Sequence, residues 1–122
     1  MTARLLVAFA ACVLAGAAAG HGVPKSKHGG WVDTGAETSF ELVRSGREVT
    51  VYIEDHGKPV STSGGRGEIL LGSERGKPLA RLTPAGANTL QGPAIAARRG
   101  DRLFVRVTFG NGSTEVGEIA VP

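Results

Sequence analysis

Apolar and polar residues alternate along the body of the chain, and this alternation predicts β-strands. In residues 48–54 and again in residues 102–109, every second residue is apolar, and the residues between them are polar apart from Tyr52 and Phe104. A period of two places successive side chains on opposite faces of a strand. One face of each run is therefore expected in a hydrophobic core and the other in solvent.

Shorter apolar runs separated by turn residues predict further strands. They lie in residues 40–43, 68–71, 79–82, 88–91 and 114–121. Asn111-Gly112 before the last run is typical of a hairpin turn, and the change of phase at Gly117 within that run predicts a β-bulge. Six or seven short strands in residues 38–122 predict an all-β domain, namely a small immunoglobulin-like β-sandwich, with a small open barrel as the alternative.

The first twenty residues have the layout of a secretory signal. Arg4 supplies a positive charge, residues 5–14 are uninterruptedly apolar, and residues 15–20 are all small. The apolar stretch is shorter than the roughly 20 residues that a membrane-spanning helix needs. We therefore predict a cleavable signal helix over residues 1–20, export to the periplasm, and no transmembrane anchor once the signal is removed.

The position of signal cleavage stays open between two bonds. The small residues before them allow cleavage before Gly20 or before His21. Cys12 also allows a lipoprotein signal, but Val13 and Leu14 continue the apolar run after it, which argues against lipidation.

Residues 21–37 are polar, glycine-rich and without periodicity, and they predict a flexible leader. We expect this leader to join the fold near Trp31 or Val32, with the Trp31 ring closing one end of the sandwich. Stacking of Trp31 on a ligand is the alternative role for this side chain.

Charge and composition exclude several functional classes. Loss of Arg4 with the signal leaves 13 basic and 11 acidic residues, and the basic residues are interspersed with acids, which is not typical of a nucleic-acid-binding protein. Residues 21–122 contain no cysteine, so no disulfide is expected. No nucleophile, base and orienting acid form a recognisable set, so we expect a protein without enzymatic activity.

The three histidines, His28, His21 and His56 in that order of preference, are the candidate metal ligands. Two lie in the leader and one lies in the turn at 55–59. Imidazole nitrogens suit divalent copper, zinc and nickel, whereas the absence of Cys and Met after the signal argues against copper(I). Cleavage before His21 would give that residue a free amine that chelates together with its ring, and Asp33, Glu37 and Asp55 can add oxygen ligands. No two histidines have the short spacing of established zinc motifs, and solvated or turn-capping histidines are the alternative.

Several short motifs resemble a group of small, uncharacterised periplasmic proteins associated with bacterial metal-efflux and metal-resistance systems. After the signal, the similarity lies in His28-Gly29-Gly30, in Phe40-Glu41-Leu42-Val43, in residues 49–59 and in residues 82–88. The resemblance covers most of residues 28–109 and implies an immunoglobulin-like domain. A looser similarity to periplasmic copper-resistance sandwiches implies a copper(II) site at the amino terminus, to which His21 alone corresponds.

Together these patterns predict a periplasmic, non-enzymatic protein that binds or helps to handle a divalent transition metal alongside a cation efflux system. The expected partner is a periplasmic efflux or envelope protein. The alternative is a structural or protein-interaction module of the envelope that binds no metal.

Overall fold

The structure of the chain is a computed structural model that describes residues 25–33 and 37–122. These residues form nine antiparallel strands and no helix, which confirms the all-β prediction. The predicted signal, residues 1–20, lies outside the described residues. Within the described part of the chain, no helix is long and apolar enough to cross a membrane. The strands are β1 (Trp31–Val32), β2 (Thr38–Arg44), β3 (Glu48–Asp55), β4 (Lys58–Pro59), β5 (Arg66–Leu71), β6 (Lys77–Pro84), β7 (Thr89–Pro93), β8 (Arg102–Thr108) and β9 (Thr114–Ala120).

The nine strands form an antiparallel, nearly continuous arrangement. The hydrogen-bonded order is β1-β2-β3-β7-β6-β5-β8-β9, with β4 paired to β3. By their main pairings, the strands fall into two sheets, β1-β2-β3-β7 with β4 beside β3, and β6-β5-β8-β9. β6 pairs with β5 over most of its length and with β7 at Thr83 and Pro84, so it links the two sheets into one nearly continuous layer.

The core lies where the two alternating runs predicted it. Val49, Val51 and Ile53 on β3 are fully buried, and the alternate residues of β8 belong to the same buried cluster. Each fully buried side chain of this kind contributes about 1.5–3 kcal/mol by leaving water. The larger fully buried side chains are Phe40, Leu42, Val49, Val51, Ile53, Ile69, Leu82, Leu90, Leu103, Val105, Val107 and Ile119.

The predicted bulge at Gly117 is wrong. β8 and β9 pair in unbroken register from Arg102↔Ala120 to Thr108↔Thr114, and the sheet's irregularity lies instead between Ile69 and Leu70. Gly117 is buried because β9 passes against the Phe40 ring, where no side chain fits.

The leader joins the sheet at Trp31, as predicted, and residues 26–33 are held against the sheet by hydrogen bonds. β1 pairs with β2 through Trp31↔Leu42 and Val32↔Glu41. The Trp31 ring packs against the core on one side, and the Arg44 guanidinium lies 4.1 Å from the ring centroid. The Arg44–Trp31 contact is a cation–π interaction that fixes the start of the fold.

Candidate functional site

Glu41 is a buried carboxylate on the outer face of a sheet. Its neighbours in β2, Phe40 and Leu42, point into the core, so Glu41 points outward, yet it is only 7% exposed. Residues 26–30 of the leader cover it and donate hydrogen bonds to both of its oxygens. The donors are the Ser26 hydroxyl (2.8 Å), the Lys27 N–H (3.1 Å), the His28 N–H (2.9 Å), the Gly30 N–H (2.8 Å) and the His28 ring (3.0 Å).

These donors keep Glu41 ionised. Burial alone would raise the pKa of Glu41, but the hydrogen bonds from Gly30, Ser26 and His28 outweigh it and lower the pKa from 4.5 to about 2. A carboxylate with several hydrogen-bond donors is stabilised in its charged form. At neutral pH, Glu41 is therefore an anion that only accepts hydrogen bonds.

The ring of His28 is oriented by two contacts. Its Nδ1 lies 3.0 Å from Oε1 of Glu41, and the ring stacks on Tyr52 with centroids 3.7 Å apart and planes 9° apart. Glu41 and Tyr52 are direct cross-strand partners, so they share the outer face on which His28 rests. Because Glu41 only accepts, Nδ1 carries the proton. The Nε2 atom, on the far side of the ring from the carboxylate, then holds the free lone pair of the neutral ring.

Two glycines allow the backbone of the leader to lie close to β2. A Cβ on Gly30 would lie 2.5 Å from the Leu42 carbonyl oxygen, and Gly29 has a φ of 73° that side chains rarely adopt. The spacing His28-Gly29-Gly30 is thus what presents the imidazole beside the carboxylate. Lys27 adds a second attachment, since its Nζ lies 2.8 Å from Oε2 of Glu54 on β3.

A shallow groove of about 300 Å³ adjoins the covered carboxylate. It runs between the leader and the outer face of β2 and β3, and both acidic and basic side chains open onto it. Its lining includes Lys25, Lys27, Glu37, Glu41, Tyr52 and Glu54.

The structure does not bring His56 to His28. His56 follows β3 in the turn before β4, with a φ of 48°, and its Nδ1 lies 2.6 Å from Oδ1 of Asp55. It is four residues beyond Tyr52, which is roughly 13 Å along a strand. His21 lies outside the described residues. Among residues 25–33 and 37–122, no three His, Cys, Asp or Glu side chains are grouped as metal ligands would be.

Of the predicted oxygen ligands, Asp33 lies apart from Glu37 and Asp55. Asp33 is 2% exposed, and its Oδ1 accepts a hydrogen bond from the Phe40 N–H at 2.9 Å. Burial raises the pKa of Asp33 from 3.8 to about 6, against the lowering effect of that hydrogen bond. Glu37 and Asp55 are exposed at the end of the β2–β3 pair, away from Asp33.

The sequence pattern assigns no role to Glu41, the carboxylate at the centre of this site. A glutamate between two core residues of a strand has the pattern of an ordinary solvated charge. The nearest signal is the pair of glycines after His28, which indicates a close backbone approach without identifying the partner.

Fold and site together define a small all-β domain in which residues 26–30 cover a buried carboxylate on one outer face. Comparison of the chain with protein-family models, with curated proteins and with solved structures gave no match.

Proposed function

We propose that this protein binds a divalent transition metal through Nε2 of His28, as a non-enzymatic metal-handling protein of the periplasm. The observation that carries the proposal is the hydrogen bond between Nδ1 of His28 and Glu41. Metal-binding histidines commonly donate the other ring N–H to a carboxylate, which fixes the tautomer and makes the ring a better ligand. The stack on Tyr52 further limits the motion of the ring.

The remaining ligands come from the leader. His21 is seven residues before His28, and seven residues span up to about 23 Å, so the chain is long enough to bring both rings to one ion. If cleavage exposes His21, its amine and ring add two nitrogen ligands, a set that suits copper(II), nickel(II) or zinc(II). His56 is not part of this proposed site.

The decisive experiment is a calorimetric titration of copper(II), nickel(II) and zinc(II) into protein that begins at Gly20 or at His21. We expect binding tighter than millimolar and a loss of about tenfold or more in His28→Gln, because one nitrogen ligand is removed. The matched control is His56→Gln, which removes an exposed imidazole elsewhere and should leave the affinity unchanged. Binding no tighter than millimolar, or equal losses in both variants, refutes the proposal.

The second candidate function is a protein-interaction module of the envelope that binds no metal. The observation in its favour is β9, which has seven residues and, among the described residues, pairs with β8 alone and so forms an edge strand. Such an edge can add a strand from a partner. Capture of an envelope protein that survives deletion of residues 21–30, together with an absence of metal binding, favours this candidate.

A further inference from the structure

Three strands of the second sheet carry a compact set of polar side chains on their outer face. β5 lies between β6 and β8, and cross-strand partners face the same side. One row across the strands is Arg81, Glu68 and Arg106, and Arg66 on β5 lies directly opposite Thr108 of β8. These side chains line an open groove of about 360 Å³ on the surface.

One of the three arginines in this groove is paired with an acidic residue, and the other two can bind an anionic ligand. Arg106 is held by Glu68, whose Oε1 lies 2.8 Å from Nη1, and it also donates to the carbonyl of Glu74. Arg66 and Arg81 form no ion pair with any residue of the described chain. They occupy diagonal positions on neighbouring strands, at a separation of about 7–8 Å, so both guanidinium groups can reach a single ligand between them.

We propose that this groove binds a ligand with a terminal phosphate group, as found in a phosphomonoester or in pyrophosphate. A guanidinium group donates two parallel hydrogen bonds to a phosphate or a carboxylate. Two unpaired guanidinium groups match the double negative charge of a terminal phosphate. The hydroxyls of Thr83 and Thr108, which also line the groove, add two further hydrogen-bond donors. The three oxygens of a terminal phosphate can accept from all of these donors, whereas the two oxygens of a carboxylate cannot.

This site is separate from the proposed metal site and does not depend on it. The arginines lie on the outer face of β5, β6 and β8, whereas His28 lies on the outer face of β2 and β3. The hydrophobic core lies between the two faces.

The test is a calorimetric titration of inorganic pyrophosphate at fixed ionic strength into the metal-free protein and two double variants. Arg66→Gln/Arg81→Gln removes the two available guanidinium groups, and Arg98→Gln/Arg99→Gln removes the same charge from an exposed loop. We expect the first variant to bind at least about tenfold more weakly, because charge-assisted hydrogen bonds are lost, and the second to bind as the wild type does. Unfolding midpoints of both variants verify that each is folded.

A third variant is expected to increase the affinity for pyrophosphate. Glu68→Gln removes the negative charge from the groove and releases Arg106, so it should bind pyrophosphate more tightly than the wild type. Vesicles that carry phosphatidic acid, compared with vesicles that carry phosphatidylglycerol, distinguish a lipid headgroup from a free ligand. Binding to either pyrophosphate or the phosphatidic acid vesicles, lost in Arg66→Gln/Arg81→Gln alone, supports the site and assigns its source. The proposal is overturned if both double variants lose affinity equally, or if the protein binds neither millimolar pyrophosphate nor either kind of vesicle.

Discussion

Replacement of Glu41 by glutamine removes one charge from beneath the leader and keeps the size and shape of the side chain. Both carboxylate oxygens accept hydrogen bonds from residues 26–30. In glutamine, one oxygen becomes an NH2 group that faces donors and cannot accept from them. We therefore expect the variant to lose stability and to release the leader from the sheet.

The lowered pKa of Glu41 sets the size of this effect. The pKa falls from 4.5 to about 2 on folding, and at about 1.4 kcal/mol per pKa unit this corresponds to about 3 kcal/mol. Because the folded pKa is the lower one, the stabilisation is fully present above pH 4.5 and is lost as the pH falls through about 2. The free energy of unfolding of the wild type should thus exceed that of Glu41→Gln by up to about 3 kcal/mol at neutral pH, and this difference should shrink in acid.

Urea unfolding followed by the fluorescence of Trp31, the single tryptophan of the chain, measures this difference. Hydrogen exchange at the backbone N–H of His28 and of Gly30 separates release of the leader from global unfolding. The control is Glu48→Gln, since Glu48 is exposed at the start of β3. If both variants unfold at the same urea concentration at every pH, and both amides stay protected, then Glu41 does not hold the leader and our reasoning about the site fails.

Two further predictions concern the place where Gly117 of β9 lies against Phe40 and Asp33. Because the pKa of Asp33 rises from 3.8 to about 6 on folding, its ionisation costs stability as the pH increases through that interval. In urea unfolding, the free energy of unfolding of Asp33→Asn should therefore exceed that of the wild type by up to about 3 kcal/mol above pH 6 and should equal it below pH 3.8. A gain in stability at all pH values would contradict this. Gly117→Ala places a Cβ against the Phe40 ring and 2.8 Å from Oδ2 of Asp33, so thermal unfolding should show a loss of about 1–3 kcal/mol. Gly46→Ala, which meets open space, is the control, and equal losses in the two alanine variants would refute the overlap.

The strands were predictable because their burial follows their own sequence. Val49, Val51 and Ile53 are buried for the reason that their alternation indicates, namely that one face of β3 meets the opposite sheet. The same logic explains the error at Gly117. Counted as a core position, Gly117 continues the alternation to Ile119 and Val121, and Val116 is simply an exposed side chain.

The environment of Glu41 was not predictable from local pattern. Its hydrogen-bond partners lie 11 to 15 residues earlier in the chain, in a segment without periodicity. The position of Glu41 in β2 predicts an outward side chain, which is correct. The burial of that side chain depends on the path of residues 26–30. That path requires the backbone at Gly30 to lie close to Leu42, a contact that the sequence pattern does not reveal.

The two proposed sites can be tested against each other because the core separates them. Packed sheets lie about 10 Å apart, so a substitution on one outer face leaves the other face without a direct contact. His28→Gln should therefore leave pyrophosphate binding unchanged, and Arg66→Gln/Arg81→Gln should leave metal binding unchanged, since distant and independent sites are additive. If a variant loses binding of both ligands and its unfolding midpoint has fallen, the cause is loss of the fold. Loss of both at an unchanged midpoint would mean that one ligand bridges the two faces, which contradicts the assignment of a separate site to each sheet.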